Sequence, residues 1–152
     1  KKMSSDLKQK LNEDLKVALK SGDKLSCSVL RMLLSAIHNA EIAKRGELEE
    51  TDIIGIIAKD AKQHKESILA FREGNRQDLV EKEEAELVII EKYLPEQMSR
   101  EDVITAARKV IEEVGAQGPR DKGKVMGKLV AQLKGKAEGQ VINEVVNELL
   151  EQ

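Results

Sequence analysis

Residues 118–139 read GPRDKGKVMGKLVAQLKGKAEG, and the reading of this stretch decides the fold. Gly118, Gly123 and Lys124 spell G-x-x-x-x-G-K, most of a phosphate-binding P-loop. A P-loop joins a strand to a helix and would demand an α/β sheet. Two features exclude it. Position 125 is Val, where a P-loop carries the Ser or Thr that reaches Mg²⁺. The residues before it, Val110 to Gly115, end a helical pattern and not a strand. What remains is an amphipathic helix between two glycine-marked junctions. Met126, Leu129, Val130 and Leu133 form its apolar face. Pro119 suits its first turn, Asp121 complements its dipole, and Gly135 ends it.

Outward from this stretch the chain continues as helices. On the N-terminal side, Ser99 and Asp102 form an S-x-x-D cap before a helix that runs to Val114, with Val103, Ala107, Val110 and Val114 inward and Gly115 as its stop. On the C-terminal side a helix opens near Glu138, with Ile142, Val145, Val146 and Leu149 inward. Leu94–Pro95 interrupts the pattern, because the residue before a proline is pushed out of helical geometry. A domain boundary at 95–98 follows, giving an N-terminal domain over 1–95 and a C-terminal one over 96–152.

The first 95 residues read as four helices. The first spans about Ser5 to Ser21, with Leu7, Leu11, Leu15 and Ala18 on one stripe. Gly22 stops it and Asp23 caps the second, whose centre V-L-R-M-L-L-S-A-I is apolar on more than one face and which fades by Gly46. The third starts near Thr51. Its stripe is Ile53, Ile57, Ala61, His64, Ile68 and Phe71, too long a periodic run for a strand. Gly74 ends it, and Asn75 with Asp78 can open the fourth, from about Gln77 to Tyr93, with Leu79, Leu87, Ile90 and Leu94 as its buried set. Short breaks at 22–23, 74–75, 115–118 and 135–137 favour antiparallel neighbours. The fold class is therefore all-α: an antiparallel bundle of about four helices followed by a three-helix tail domain.

Composition bounds the chemistry. The chain of 152 residues has one Phe, one Tyr, no Trp and 36% charged residues, a profile that suits helix bundles. Single-stranded RNA is usually held by stacking bases on aromatic faces, and this chain has no such platform. Cys27, flanked by Leu25 and Val29–Leu30, is the only cysteine, so it forms no disulfide within the chain and reads as a small buried thiol. No apolar run approaches a membrane span and the N-terminus shows no signal-peptide core. The expectation is a soluble, cytoplasmic protein.

No catalytic set emerges. There is no G-x-S-x-G and no Gly/Ser-rich amidase segment. His38 and His64 fall on the second and third helices, where they could face each other. The simpler reading makes His64 a partly buried residue with a satisfied ring and His38 a surface one. Without H-E-x-x-H or a paired E-x-x-H, no metal site is read, and Glu83 to Glu86 reads as a charged helix face. No cofactor is expected.

The charge of the opening stretch is its second peculiarity. From 118 to 136, Arg120, Lys122, Lys124, Lys128, Lys134 and Lys136 face a single acid, Asp121, for a local balance of +5 in a chain of net −2. The two domains are otherwise alike in charge. A solvated helix face accounts for such lysines, and so does phosphate contact. Lys124 and Lys128 share a helix face. Lys134 and Lys136 flank Gly135, beside the N–H groups that open the last helix, where anions bind. Gly123 and Gly127 lie inside a helix, where each costs about 1 kcal/mol relative to Ala. Together with Gly135 they read as places of close approach by a backbone or a phosphate.

At these residues the chain resembles the YqeY-like family, whose C-terminal part is similar to the tail domain of GatB, the tRNA-contacting subunit of the tRNA-dependent Asp/Glu amidotransferase. The segments that carry the resemblance are D-K-G-K-V-M-G (Asp121 to Gly127), K-G-K-A-E-G (Lys134 to Gly139) and V-I-N-E-V-V (Val141 to Val146). They are joined by R-M-L-L-S-A-I (Arg31 to Ile37), K-E-S-I-L-A-F (Lys65 to Phe71), G-N-R-Q-D-L-V-E-K-E-E-A-E-L (Gly74 to Leu87) and Y-L-P-E-Q-M-S (Tyr93 to Ser99). The resemblance thus spans nearly the whole chain. Lys122, Ala131 and Glu138 depart from the residues usual at those places. Against the GatB tail, the spacing between V-M and G-K-A is longer by about one helical turn, so tRNA contacts are not carried over at that point.

The resemblance implies a helical bundle followed by a three-helix tail and a link to tRNA or aminoacyl-tRNA amidation. The expected function is a non-catalytic RNA-binding module that engages tRNA or a tRNA-bound enzyme; DNA and membrane partners are not expected. A protein-interaction adaptor using the N-terminal helices is the alternative. Third comes a part in a carbon–nitrogen ligase with glutamine as amido donor, for which the chain offers no nucleophile.

Overall fold

The computed structural model describes residues 6–151. The Ser5 start expected for the first helix lies outside the described residues. Seven α-helices make up the described chain: α1 (Asp6–Ser21), α2 (Lys24–Lys44), α3 (Glu50–Glu73), α4 (Gln77–Glu91), α5 (Arg100–Val114), α6 (Lys122–Leu133) and α7 (Gly139–Leu150). A single 3₁₀ turn, Pro119–Asp121, leads into α6, and no strand occurs among the described residues. The all-α reading holds. The chain divides into two compact units, Lys1–Leu94 and Pro95–Gln152.

In the first unit, Leu11 of α1, Val29, Leu30, Leu33 and Ile37 of α2, Ile53, Ile57 and Ala61 of α3, and Ile89, Ile90 and Tyr93 at the end of α4 share one core. Caps set the helix ends. Gly22 adopts φ +76°, and Asp23 accepts the Ser26 N–H at 3.1 Å and its hydroxyl at 2.7 Å, satisfying an orphan donor of α2. α2 ends before Gly46, where the sequence pattern fades: Arg45 takes the left-handed position (φ 62°), with Gly46 N–H bonded to the Glu41 carbonyl at 3.2 Å. One end differs from the expectation. Asn75 spends itself on a left-handed turn (φ 56°), so Arg76 becomes the N-cap of α4 and reaches Asp78 through two guanidinium bonds. The Tyr93 hydroxyl donates to Asp14 at 2.6 Å, tying the end of α4 to α1. Burial and the Asp14 carboxylate push the phenol well above its ordinary pKa.

The α3–α4 pair is an antiparallel hairpin: Lys65 faces Glu91, and further along α3 Arg72 faces Glu84, earlier on α4. Its inner face corrects the sequence reading. His64 is buried with its ring satisfied, as expected, and His38 is exposed. Glu86, read as part of a charged outer face, is only 6% exposed, while Leu79 and Leu87 are half-buried. The buried set of α4 is Val80, Glu86, Ile89 and Ile90. The reason is the partner across the hairpin: His64 Nε2 lies 3.0 Å from Glu86 Oε1, and a buried carboxylate is tolerated where a charge-assisted hydrogen bond meets it.

The second unit packs α5, α6 and α7 around Val103, Ala107, Val110, Val125, Leu129, Leu133, Ile142, Val145, Val146 and Leu150. Val125, the residue that rules out a P-loop, is fully buried here. Val130, expected inward, is exposed. Ser99 Oγ accepts the Asp102 N–H at 3.1 Å to start α5, and Gly115 ends it at φ +68°.

Candidate nucleic-acid interface on the second unit

Because Val125, Leu129 and Leu133 turn inward, the helical period turns Gly123, Lys124, Gly127 and Lys128 outward, and all four are exposed. A Cβ added at Gly123 or Gly127 would meet nothing within 4 Å. Among the described residues, no neighbouring backbone therefore requires these glycines. They leave an exposed strip without side chains along α6, and the two lysines stand beside it.

The six candidate cations differ in their surroundings. Lys128 pairs with Glu113 of α5 at 3.0 Å, which holds the Glu113 carboxyl below the ordinary range. Lys124 stands 3.9 Å from Asp121. Asp121 also accepts the Gln117 N–H at 2.9 Å, which fixes the loop ahead of the helix. Arg120, Lys134 and Lys136 are exposed and Lys122 half-buried. Among the described residues, none of these four has a carboxylate within ion-pair distance.

Gly135 is buried at φ +78°, a conformation that favours glycine. Its carbonyl accepts the Gln97 side-chain amide at 2.8 Å, and the Lys136 carbonyl accepts the Met98 N–H at 2.9 Å. Gly135 thus forms a backbone turn held by these two bonds. Sequence reasoning missed both carbonyl bonds. They link positions 38 residues apart, and Q-M-S contains no local signal for them.

A second polar group, missed in the sequence, lies in the first unit around His64, Glu83 and Glu86. The one available signal was that His64 falls on the apolar stripe of α3, which obliges α4 to supply a polar partner.

A family model described as Yqey-like protein matches residues 8–150. Curated relatives carry the name "Altered inheritance of mitochondria protein 41, mitochondrial". The relative from Lachancea thermotolerans is 44% identical over 85 residues, 55% of this chain and 46% of that protein. The one from Kluyveromyces lactis is 37% identical over 113 residues, 72% of this chain and 60% of that protein. One from Saccharomyces cerevisiae is 32% identical over 118 residues, 76% of this chain and 64% of that protein. The chain therefore spans from about half to just under two thirds of the length of these relatives. Their names overturn the cytoplasmic expectation and point to mitochondria. Folded helices carry no address, so composition and the absence of an apolar signal core could not decide the compartment. No described helix is long and apolar enough to cross a membrane. By the match over residues 8–150, the chain belongs to the YqeY-like protein family.

Proposed function

We propose that the second unit is a non-catalytic RNA-binding module that engages folded RNA, tRNA in the first instance, through the exposed face of α6 and the α6–α7 turn. One observation carries this reading: the open strip without side chains at Gly123 and Gly127, bordered by Lys124 and Lys128. Each glycine weakens the helix it sits in and serves no packing partner among the described residues. A phosphate backbone can approach such a strip closely while lysines neutralise it. Lys134, Lys136 and Arg120 extend the positive surface. The scarcity of aromatics, one Phe and one Tyr, favours recognition of a folded duplex by shape and backbone. The choice of tRNA, and a connection to its amidation, rest on the resemblance to the GatB tail.

Titration of the purified chain with tRNA at low and moderate salt tests the reading. Binding is expected at low salt and to weaken steeply as salt rises. Replacement of Lys124, Lys128, Lys134 and Lys136 by Glu is expected to abolish it. Absence of binding at low salt, or binding indifferent to those four replacements, overturns the proposal. The alternative of a helical adaptor draws on the exposed Val17, Leu19, Met32, Ile42, Leu69 and Val88 of the first unit. It would be favoured by recovery of a protein partner without RNA.

A further inference from the structure

We propose that His64, Glu83 and Glu86 form a site for one divalent cation of the zinc type, held between α3 and α4 of the first unit. The inference is independent of the RNA reading, which concerns the other unit.

Glu83 and Glu86 are three apart on α4 and share a face. That face meets His64 on α3. The Nε2 atom lies 3.0 Å from Glu86 Oε1 and 3.9 Å from Glu83 Oε1, and one ligand atom from each of the three residues lies within 4.8 Å of the other two. Around a tetrahedral ion with bonds of about 2.0–2.2 Å, ligand atoms stand roughly 3.3–3.6 Å apart. The three atoms are thus near coordinating separation, and side-chain adjustment alone would close the shell.

The orientation of the ring fits. His64 Nδ1 is 2.9 Å from the Asp60 carbonyl oxygen, so Nδ1–H donates there and Nε2 is directed at the carboxylates. A ring nitrogen donating to a backbone carbonyl while the other faces the ion is the usual outer-shell arrangement of a metal-bound histidine. The Asp60 carboxylate lies on the Nδ1 side, 3.7 Å away, and adds negative charge behind the ring.

Charge supplies the second argument. Three carboxylates, Asp60, Glu83 and Glu86, surround one imidazole, and their side chains are 20%, 19% and 7% exposed. Among the described residues, His64 is the only cationic group within ion-pair distance of any of them. An imidazolium offsets only one of three negative charges. A dication on a neutral imidazole offsets two of the three: with its ligands Glu83 and Glu86 it makes a neutral shell, and only the Asp60 charge remains behind the ring.

The donor set selects the ion. One nitrogen and two carboxylate oxygens suit Zn²⁺, whereas Ca²⁺ takes six to eight oxygens and Mg²⁺ keeps much of its water. Three protein ligands leave a coordination position for water. Glu83, the most exposed of the three, marks the side from which the ion is reached.

The test uses the whole chain after chelator treatment, with Zn²⁺ followed by equilibrium dialysis and Co²⁺ by its visible absorption. One ion per chain is expected. Glu83→Gln is expected to lower Zn²⁺ affinity by at least about tenfold with an unchanged circular dichroism spectrum, because this side chain reaches the surface. His64→Asn is expected to remove the Co²⁺ band, and His38→Asn to leave both signals intact. No Zn²⁺ uptake at micromolar concentration overturns the site. So does uptake that ignores Glu83→Gln, or that depends on His38.

Discussion

In the first unit, a histidine and a glutamate are buried between α3 and α4. In the second, the core residues shared by α5, α6 and α7 are all apolar, and the charge concentrates on the outer face of α6. The difference shows what each unit asks of its helices. An apolar core is held by shape and tolerates small slides. A buried hydrogen-bonded charge pair does not, since a shift of one turn would strand both groups without partners. The first unit is thus built to keep two helices in one register around a polar centre. The second is built to present an outer surface.

The comparison breaks most visibly at Glu86. In chelator-treated protein, Glu86→Leu leaves His64 buried without its partner and is expected to cost about 4 kcal/mol in urea unfolding. The double replacement His64→Leu with Glu86→Leu is expected to recover most of that loss. If the single replacement were harmless, the polar centre would not be holding the hairpin. In the second unit the largest loss comes from volume. Leu129 is fully buried, and Leu129→Ala is expected to cost about 3 kcal/mol through the cavity it leaves.

Gly127→Ala sharpens the comparison because its two effects oppose each other. Nothing crowds the added methyl, so stability is expected to rise by up to about 1 kcal/mol while tRNA affinity falls. A gain in both would remove the functional reason for the glycine. The smallest expected effect is at Asp23. Hydrogen bonds from the Ser26 hydroxyl and N–H hold its carboxyl below the ordinary range. The stability it adds is complete above the ordinary carboxylate pKa and is lost as the pH falls through the lowered folded value. The melting-temperature gap between the natural chain and Asp23→Asn is therefore expected at neutral pH and to close in acid.

Much of the fold was legible because its determinants are local. Asp23, Ser99, Gly22 and Gly115 act on donors and acceptors within a few residues of themselves, so they read directly from sequence. The inner face of α4 did not. Periodicity counts a glutamate as outward, and only the histidine across the hairpin reverses that for Glu86. At the candidate interface, the lysines and glycines were visible but their company was not. That Lys128 meets Glu113 depends on how α5 lies beside α6. That Gly123 and Gly127 face open space depends on which stripe of α6 is buried.

The two bonds that clasp the α6–α7 turn, from Gln97 to the Gly135 carbonyl and from Met98 to the Lys136 carbonyl, bear on the thermodynamics of any association there. Lys134 and Lys136 extend from a main chain that is already fixed, so docking need immobilise only their side chains, at about 0.5–1.5 kcal/mol for each. A free loop would add the cost of ordering its backbone, about 1–2 kcal/mol per residue. With that part settled during folding, encounter with a polyanion becomes chiefly a matter of displacing counterions. Its strength should then follow ionic strength closely.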